Sequence, residues 1–241
     1  MLHKITLNTE FRGYPSLTTQ VEELVRQSGV QTGTCTVFLP HTTAGLCITS
    51  FWDKRGLDDL VDEMGRSFPA RVSYKHQDSP YDAAGHVKSA FIGASALLLI
   101  QGGKLILGSS QGLVFLEFDG PRPRECYIQI LERPVFLEKH GVDTRFMGMH
   151  DITAAVADTV AKSGVKSGLC HVSMLHSTAG LLVCPKDPDA LGDIMGDVER
   201  MVPTRVDFKH RETASDAGGH VKTAFAGSQL SFAVVDGRLL L

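Results

Sequence analysis

Apolar and polar positions along this chain switch between the periods of strands and helices, and the switches recur. Residues 3–9 (HKITLNT) alternate, as a half-buried strand does. The next run, LTTQVEELVRQSG, puts Leu17, Val21, Leu24 and Val25 on one helical face, with Gly29 where a C-cap belongs, and predicts a helix over 17–28. TCTVFLP is a β-branched strand stopped by Pro40, and HTTAGLCITS enters another. Leu57, Leu60, Val61 and Met64 recur at helical spacing and predict a helix over 55–66, ended by Pro69. RVSYKH reads as a short strand, and HVKSAFIG as one or two helical turns. SALLLIQ and KLILG flank a Gly-Gly turn as a hairpin, and GLVFLEFD and ECYIQILE are two further strands. Two main helices among many strands, without regular β-α alternation, predict an α+β unit with a largely antiparallel, sandwich-like sheet arrangement.

The pattern then restarts. RPVFLEK reads as a strand, and helices are predicted near 152–163 and 189–201. LHSTAGL copies PHTTAGL, and the stretch FKHRETASDAGGHVK copies YKHQDSPYDAAGHVK. From Phe68 to Leu107 against Val202 to Leu241, 17 of 40 positions are identical without a gap. We therefore read a tandem duplication with a period of about 135 residues, which means two whole modules rather than a solenoid of short units. The expected modules are 1–133 and 134–241. The second stops at GRLLL, so no counterpart of 108–130 follows, and two strands are expected to be missing unless a longer chain or a partner supplies them.

Composition excludes more than it selects. The 241 residues are 43% hydrophobic, enough for ordinary cores, and a net charge of −3 gives no electrostatic case for nucleic acid. No run of about 18 apolar residues predicts a membrane span, and MLHKITLNTE has no signal-peptide stretch. Five cysteines without a CxxC pair read as reduced thiols in a cytoplasmic protein.

Candidate chemistry lies in what the repeat retains. Six of the ten histidines form matched pairs: His41 with His176, His76 with His210, and His86 with His220. Acids accompany them at Asp59/Asp193, Asp78/Glu212 and Asp82/Asp216. Imidazole with carboxylate suits a divalent metal ion, and three protein ligands with an open position is the catalytic arrangement. The same residues could instead build hydrogen-bonded turns. Convergence of His41, His76 and His86 in space is the expectation that separates the two. Thr42 and Thr43 after the strand end offer an anion cradle, or an ST-turn. Arg122 in EFDGPRPR suits bidentate phosphate binding, or an Asp–Arg turn lock, and Lys88 and Lys222 could bind phosphate or face solvent.

HTTAGL, the YKH…GHVKS stretch, the LG-xx-Q-G step and EFDGPR, in that order, resemble the YjbQ-like family, also called the secondary thiamine-phosphate synthase family. The first module resembles it over essentially its whole length, the second up to GRLLL. The resemblance implies a compact β-rich α+β module, usually assembled as a trimer. It also implies a histidine-lined site and weak thiamine-phosphate synthesis, in which a pyrimidine diphosphate joins a thiazole phosphate and pyrophosphate leaves. Its motif residues fall on His41, Asp59, His76, His86, Lys88, Gln111, Glu117, Asp119 and Arg122, and in the second module on His176, Asp193, His210, His220 and Lys222. Among these His41, Asp59, His76, His86 and Glu117 are the expected catalytic groups. Thr42, Thr43, Lys88, Gln111, Asp119 and Arg122 are the expected phosphate and substrate contacts. The six matched histidines are the expected metal ligands, for zinc or magnesium. The expected partners are a small phosphorylated metabolite and further copies of the chain, as a trimer or pseudo-hexamer. The alternatives are a metal-dependent hydrolase, and a metabolite-binding or assembly protein with one or both modules inactive. The family's Gly-Thr-Trp-Gln is here Gly108-Ser109-Ser110-Gln111, so an aromatic wall is absent.

Overall fold

In the computed structural model, every residue is described except Val72, Gln77, Asp78, Val206 and Ala214, together with the side chain of Pro80. Asp78, one of the expected acids, therefore lies outside the described residues. The first module runs β1 (Leu2–Asn8), α1 (Thr18–Ser28), β2 (Thr32–Phe38), β3 (Ala44–Ser50), α2 (Lys54–Ser67), α3 (Pro80–Ile92), β4 (Ser95–Gln101), β5 (Lys104–Leu105), β6 (Gln111–Glu117) and β7 (Pro123–Glu132). The second runs α4 (Thr153–Ser163), β8 (Ser167–Ser173), α5 (Pro188–Met201), α6 (Asp216–Ala226), β9 (Gln229–Val235) and β10 (Arg238–Leu239). No helix among the described residues is long and apolar enough to cross a membrane.

Two antiparallel sheets form the first module. One has the order β1-β7-β2-β4-β5, and the other is the pair β3-β6. Alternation along β2, β4 and β7 turns Cys35, Val37, Leu98, Ile100, Ile128 and Ile130 inward, where they meet α1 and one face of the β3-β6 pair. Gly29 ends α1 in the left-handed region at φ 73°, as its sequence position predicts. β3 and β6 are buried on both faces. Their other face supplies Cys47, Val114, Leu116 and Phe118 to a second core. That core also takes Leu57, Leu60 and Met64 from α2, and Phe208, Ala217, Val221 and Ala224 from the second module. The two modules thus share a hydrophobic core.

The structure corrects three sequence expectations. Each module has a third helix, α3 or α6, so the second histidine of each pair stands on a helix rather than in a loop. Its start at α3 is a Ser-Pro pair: Ser79 is the N-cap and accepts from the Asp82 N–H at 3.0 Å, and Pro80 opens the first turn without needing a donor. The described residues of 71–76 form no strand, and neither do residues 133–139, read as a strand from RPVFLEK. The counterpart of β3, near 179–185, is likewise irregular. β1 pairs with β7 and β3 pairs with β6, and the 241 residues hold no counterpart of β6 or β7 for the second module. A strand-like sequence without a ladder partner leaves its backbone groups to water and gains nothing by staying extended.

Candidate functional site

Helix periodicity assembles the site. Asp82 and His86 are four residues apart on α3 and therefore share a face. His76, just before the helix, brings Nε2 to Asp82 Oδ2 at 2.6 Å, while His86 Nε2 lies 3.5 Å from the same oxygen. The two imidazole rings are 5.3 Å apart between centroids. Gly85 explains the Gly-His step. A Cβ there would stand 3.2 Å from the Thr43 Cβ, so glycine lets α3 press onto the HTTAG segment. Ser89 fastens the same face by donating to the Ala44 carbonyl at 2.7 Å. In consequence His86 Nδ1 donates to the Thr42 carbonyl at 3.0 Å. A carbonyl only accepts, so Nδ1 carries a proton, and it is the other ring nitrogen, Nε2, that faces Asp82. Burial opposes ionisation of Asp82, but His76 and His86 outweigh it and hold its carboxyl below the usual range.

The second module repeats this arrangement. His210 Nε2 lies 2.5 Å and His220 Nε2 3.4 Å from Asp216 Oδ2, and His220 Nδ1 donates to the Ser177 carbonyl at 3.0 Å. In both modules the three ligand atoms lie within 4.8 Å of one another. The difference is cover. The imidazoles of His76 and His86 are 48% and 40% exposed, those of His210 and His220 only 5% and 11%. The first module provides that cover. Asp53, the N-cap of α2, takes His210 Nδ1 at 2.6 Å, and Asp59 accepts the backbone N–H groups of Lys209 at 2.9 Å and His210 at 2.8 Å. Burial disfavours the His210 imidazolium, but Asp53 and Asp216 on its two nitrogens outweigh burial and raise its pKa. Arg55, foremost, and His210 hold the Asp53 carboxyl far below the usual range.

The sequence-predicted residues separate into four places. His76 and His86 come together with Asp82, and Asp119 lies against Asp82 while Arg122 grips the Asp119 carboxylate at 2.5 Å. His41 is turned away: its Nε2 accepts from the Glu125 N–H at 2.8 Å, and burial with the nearby Arg124 lowers its pKa. The expected three-histidine convergence is therefore two histidines and an aspartate. Its counterpart His176 is exposed and outside the second cluster. Asp59, Lys88 and Glu117 line a cavity of about 590 Å³ between the modules, which none of the clustered histidines reaches. Burial, then the charge of Arg12, lowers the Lys88 pKa, whereas Lys222 donates to Glu199 at 2.5 Å. Most other charges around that cavity pair with one another, as Arg12 and Lys209 do with Asp62, so the open cluster is the better seat for chemistry. Gln111 joins the modules, donating to the Met174 carbonyl at 2.8 Å. Thr42 is exposed, and the buried Thr43 hydroxyl accepts from Arg124 at 2.9 Å.

Glu117 is fully engaged beneath β7. Arg124 grips both carboxylate oxygens, at 2.8 and 2.5 Å, and Thr9 and the Asp119 N–H donate as well. Burial alone would raise its pKa, but these donors outweigh it and lower the value below 4.5. A group depressed in the folded state contributes stability above its unfolded pKa and loses it as pH falls through the folded value. Acid unfolding followed by circular dichroism is expected to have a shallower dependence below about pH 4.5 in Glu117→Gln, from a lower neutral-pH starting stability. An unchanged acid limb would remove Glu117 from the acid response.

Sequence reading missed Asp53, although the signal was present: Asp53 and Asp187 match in the repeat and each precedes a helix as its N-cap. Nor did it single out Arg124, the partner of Glu117.

Known proteins repeat the single module. The family described as UPF0047 protein YjbQ-like matches residues 3–133 and again 138–241. The UPF0047 protein YugU of Bacillus subtilis is 36% identical over 118 residues, which is 48% of this chain and 86% of that protein. The UPF0047 protein MJ1081 of Methanocaldococcus jannaschii is 34% identical over 132 residues, 54% of this chain and 94% of its own. Among solved structures, a YbjQ-like protein of unknown function from Sulfolobus solfataricus P2 matches with a TM-score of 0.53 at 27% identity, covering 55% of this chain and 97% of its own. A yjbq/upf0047 family protein from Clostridium acetobutylicum matches with a TM-score of 0.51 at 36% identity, covering 54% and 99%.

Proposed function

Because this chain belongs to the UPF0047 protein YjbQ-like family in both of its modules, we propose that each module holds one divalent metal ion, and that the first module uses its ion on a phosphorylated small molecule. His76, Asp82 and His86 would hold the first ion, and His210, Asp216 and His220 the second. The donor set fits. Two imidazole nitrogens and a carboxylate oxygen within 4.8 Å of one another suit ligand bonds of about 2 Å. The Nδ1–H of His86 and of His220 on a backbone carbonyl is the outer support that metal-bound imidazoles carry. Two imidazoles favour zinc or a neighbouring transition metal over magnesium, which prefers oxygen ligands.

When bound, the ion supplies a Lewis acid for a phosphoryl oxygen. The protein supplies the rest. Arg122, anchored on Asp119 but 53% exposed, can offer its remaining N–H groups to a phosphate beside the cluster. The observation that carries this reading is the open cluster of the first module, since catalytic sites keep an open position and structural sites are closed. Thiamine-phosphate synthesis falls within this class, because both of its substrates are phosphorylated. The closed second cluster favours another role, metal binding that fastens the modules.

The test is metal analysis of untagged protein together with turnover of the pyrimidine diphosphate and thiazole phosphate pair and of simple phosphate esters. The reading expects about two ions per chain and pyrophosphate release. Ester turnover alone would move it to a hydrolase. Protein without metal and without turnover would sink it.

A further inference from the structure

The cavity beside α2 is open at a place that the second module fills, and the repeat identifies what has been removed. Lys88 and Lys222 are equivalent, each two residues past a clustered histidine. Lys222 is held inside its own module: its Nζ donates to Glu199 Oε2 at 2.5 Å and to Thr204 Oγ1 at 3.0 Å. The Thr204 N–H reaches the other carboxylate oxygen at 2.6 Å. Glu199 and Thr204 correspond to Gly65 and Ala70 in the first module, and both of these line the cavity together with Lys88. The carboxylate and the hydroxyl that one lysine keeps are thus deleted around the other. The deletion leaves room, since a Cβ at Gly65 would meet only the Arg12 guanidinium, at 3.9 Å.

It also leaves one unbalanced charge. Asp62 holds Arg12 and Lys209, and Glu63 holds Arg66 and Arg205. Among the described residues Lys88 is the one cation on the cavity wall that no acid holds, and no hydrogen bond reaches its ammonium. A half-buried ammonium without a counter-charge is costly, and its complement is a single negative charge. The wall has carboxylates of its own, Asp59 and Glu117 among them, so a doubly charged phosphate would meet like charge where a monocarboxylate would not. The remaining lining is apolar. Phe11 and Tyr81 meet edge to face with ring centroids 5.0 Å apart, and both are about half exposed. Tyr81 stands where the second module has Ser215, so this aromatic wall also distinguishes the open cavity from its filled counterpart. At about 590 Å³ the space has the size of an ordinary small-molecule site.

We propose that this cavity binds a small organic monocarboxylate with an apolar body, its carboxylate on Lys88 in the place that Glu199 takes on Lys222. The backbone N–H of Ala70 stands in the position of the Thr204 N–H and offers a second donor. The apolar body lies against Phe11, Tyr81 and Phe118. The second module is the occupied form of the same site, with one of the chain's own side chains as the ligand. Nothing in this depends on what the histidine clusters bind.

Reductive methylation with formaldehyde, read lysine by lysine by mass spectrometry, tests it with Lys222 as the internal reference. Benzoate, phenylpropionate and octanoate are the probes, and phenylpropanamide is the uncharged control. A ligand at about ten times its dissociation constant leaves roughly one site in eleven free, so a carboxylate that seats in the cavity should slow labelling of Lys88 about tenfold and leave Lys222 unchanged. The amide should protect far less. Gly65→Glu combined with Ala70→Thr restores the internal carboxylate and hydroxyl. Lys88 is then expected to react as slowly as Lys222, with no further protection by the probes. The wild-type comparison of acid with amide decides the matter even where the double variant fails to fold. Protection by none of the three carboxylates, equal protection by the amide, or protection that persists in a folded double variant would each overturn the proposal.

Discussion

His86→Ala is expected to halve the metal content and remove most turnover, whereas His220→Ala leaves turnover near wild type and loosens the second module instead. Both substitutions delete a ligand from a cluster of the same composition, so the difference must come from the surroundings. His86 is 40% exposed beside Arg122 and Asp119, where a substrate can approach. His220 is 11% exposed, and these 241 residues hold no second copy of the Asp119–Arg122 segment. Loss of a supporting partner outside the ligand set costs about 10–100-fold in metal affinity or activity, so loss of a ligand should cost at least about 100-fold. Metal stoichiometry, initial rates and thermal unfolding on the same preparations separate the outcomes. Equal loss of turnover from both variants, with both folded, would show that the second cluster is a working site too.

Asp59→Ala is expected to be the most destabilising single change at the contact between the modules. The carboxylate is 4% exposed and accepts two backbone N–H groups of the other module, at 2.9 and 2.8 Å. Hydrogen bonds to a charged group are worth about 1.5–3 kcal/mol each, and unsatisfied buried donors add to the loss. A net cost of about 3–5 kcal/mol follows, or roughly 6–20 °C in Tm for a chain of this size. Asp59→Asn retains one acceptor oxygen and should recover part of the loss. Thermal unfolding followed by circular dichroism checks it. A change below about 1 kcal/mol for alanine would mean that water replaces the carboxylate and that the shared apolar core carries the contact. Because the same amides position His210, the second cluster should lose metal before the first in this variant.

How far the sequence reached depends on the range of the interaction concerned. The periods of 3.6 and 2 placed α1, α2, α4 and α5 within a residue or two, because amphipathic burial is written into neighbouring positions. The Gly102-Gly103 turn between β4 and β5 was legible for the same local reason: both glycines sit at positive φ, 59° and 70°. The duplication was legible because it is a property of the string itself. Ser79-Pro80 carried a helix start that the histidines drew attention away from, which is a missed local signal and not a hidden one.

The repeat also singled out His76, Asp82, His86 and their counterparts, since two copies of one module keep the residues that one geometry needs. What the string could not hold is which of them face one another. His41 shares the retention pattern but ends against the Glu125 amide, because β2 and β7 pair across the sheet and carry it there. Asp59 looked like a site acid and is the support of another module's backbone, 150 residues away along the chain. The strand-like residues 133–139 stayed irregular because a strand is fixed by its neighbour, which sequence periodicity does not contain. Local burial pattern, caps and repetition were thus determined by the sequence. Pairing across sheets, and the cover that one module gives the other's histidines, was decided only in the tertiary structure, where backbone donors and acceptors had to find partners from distant parts of the chain.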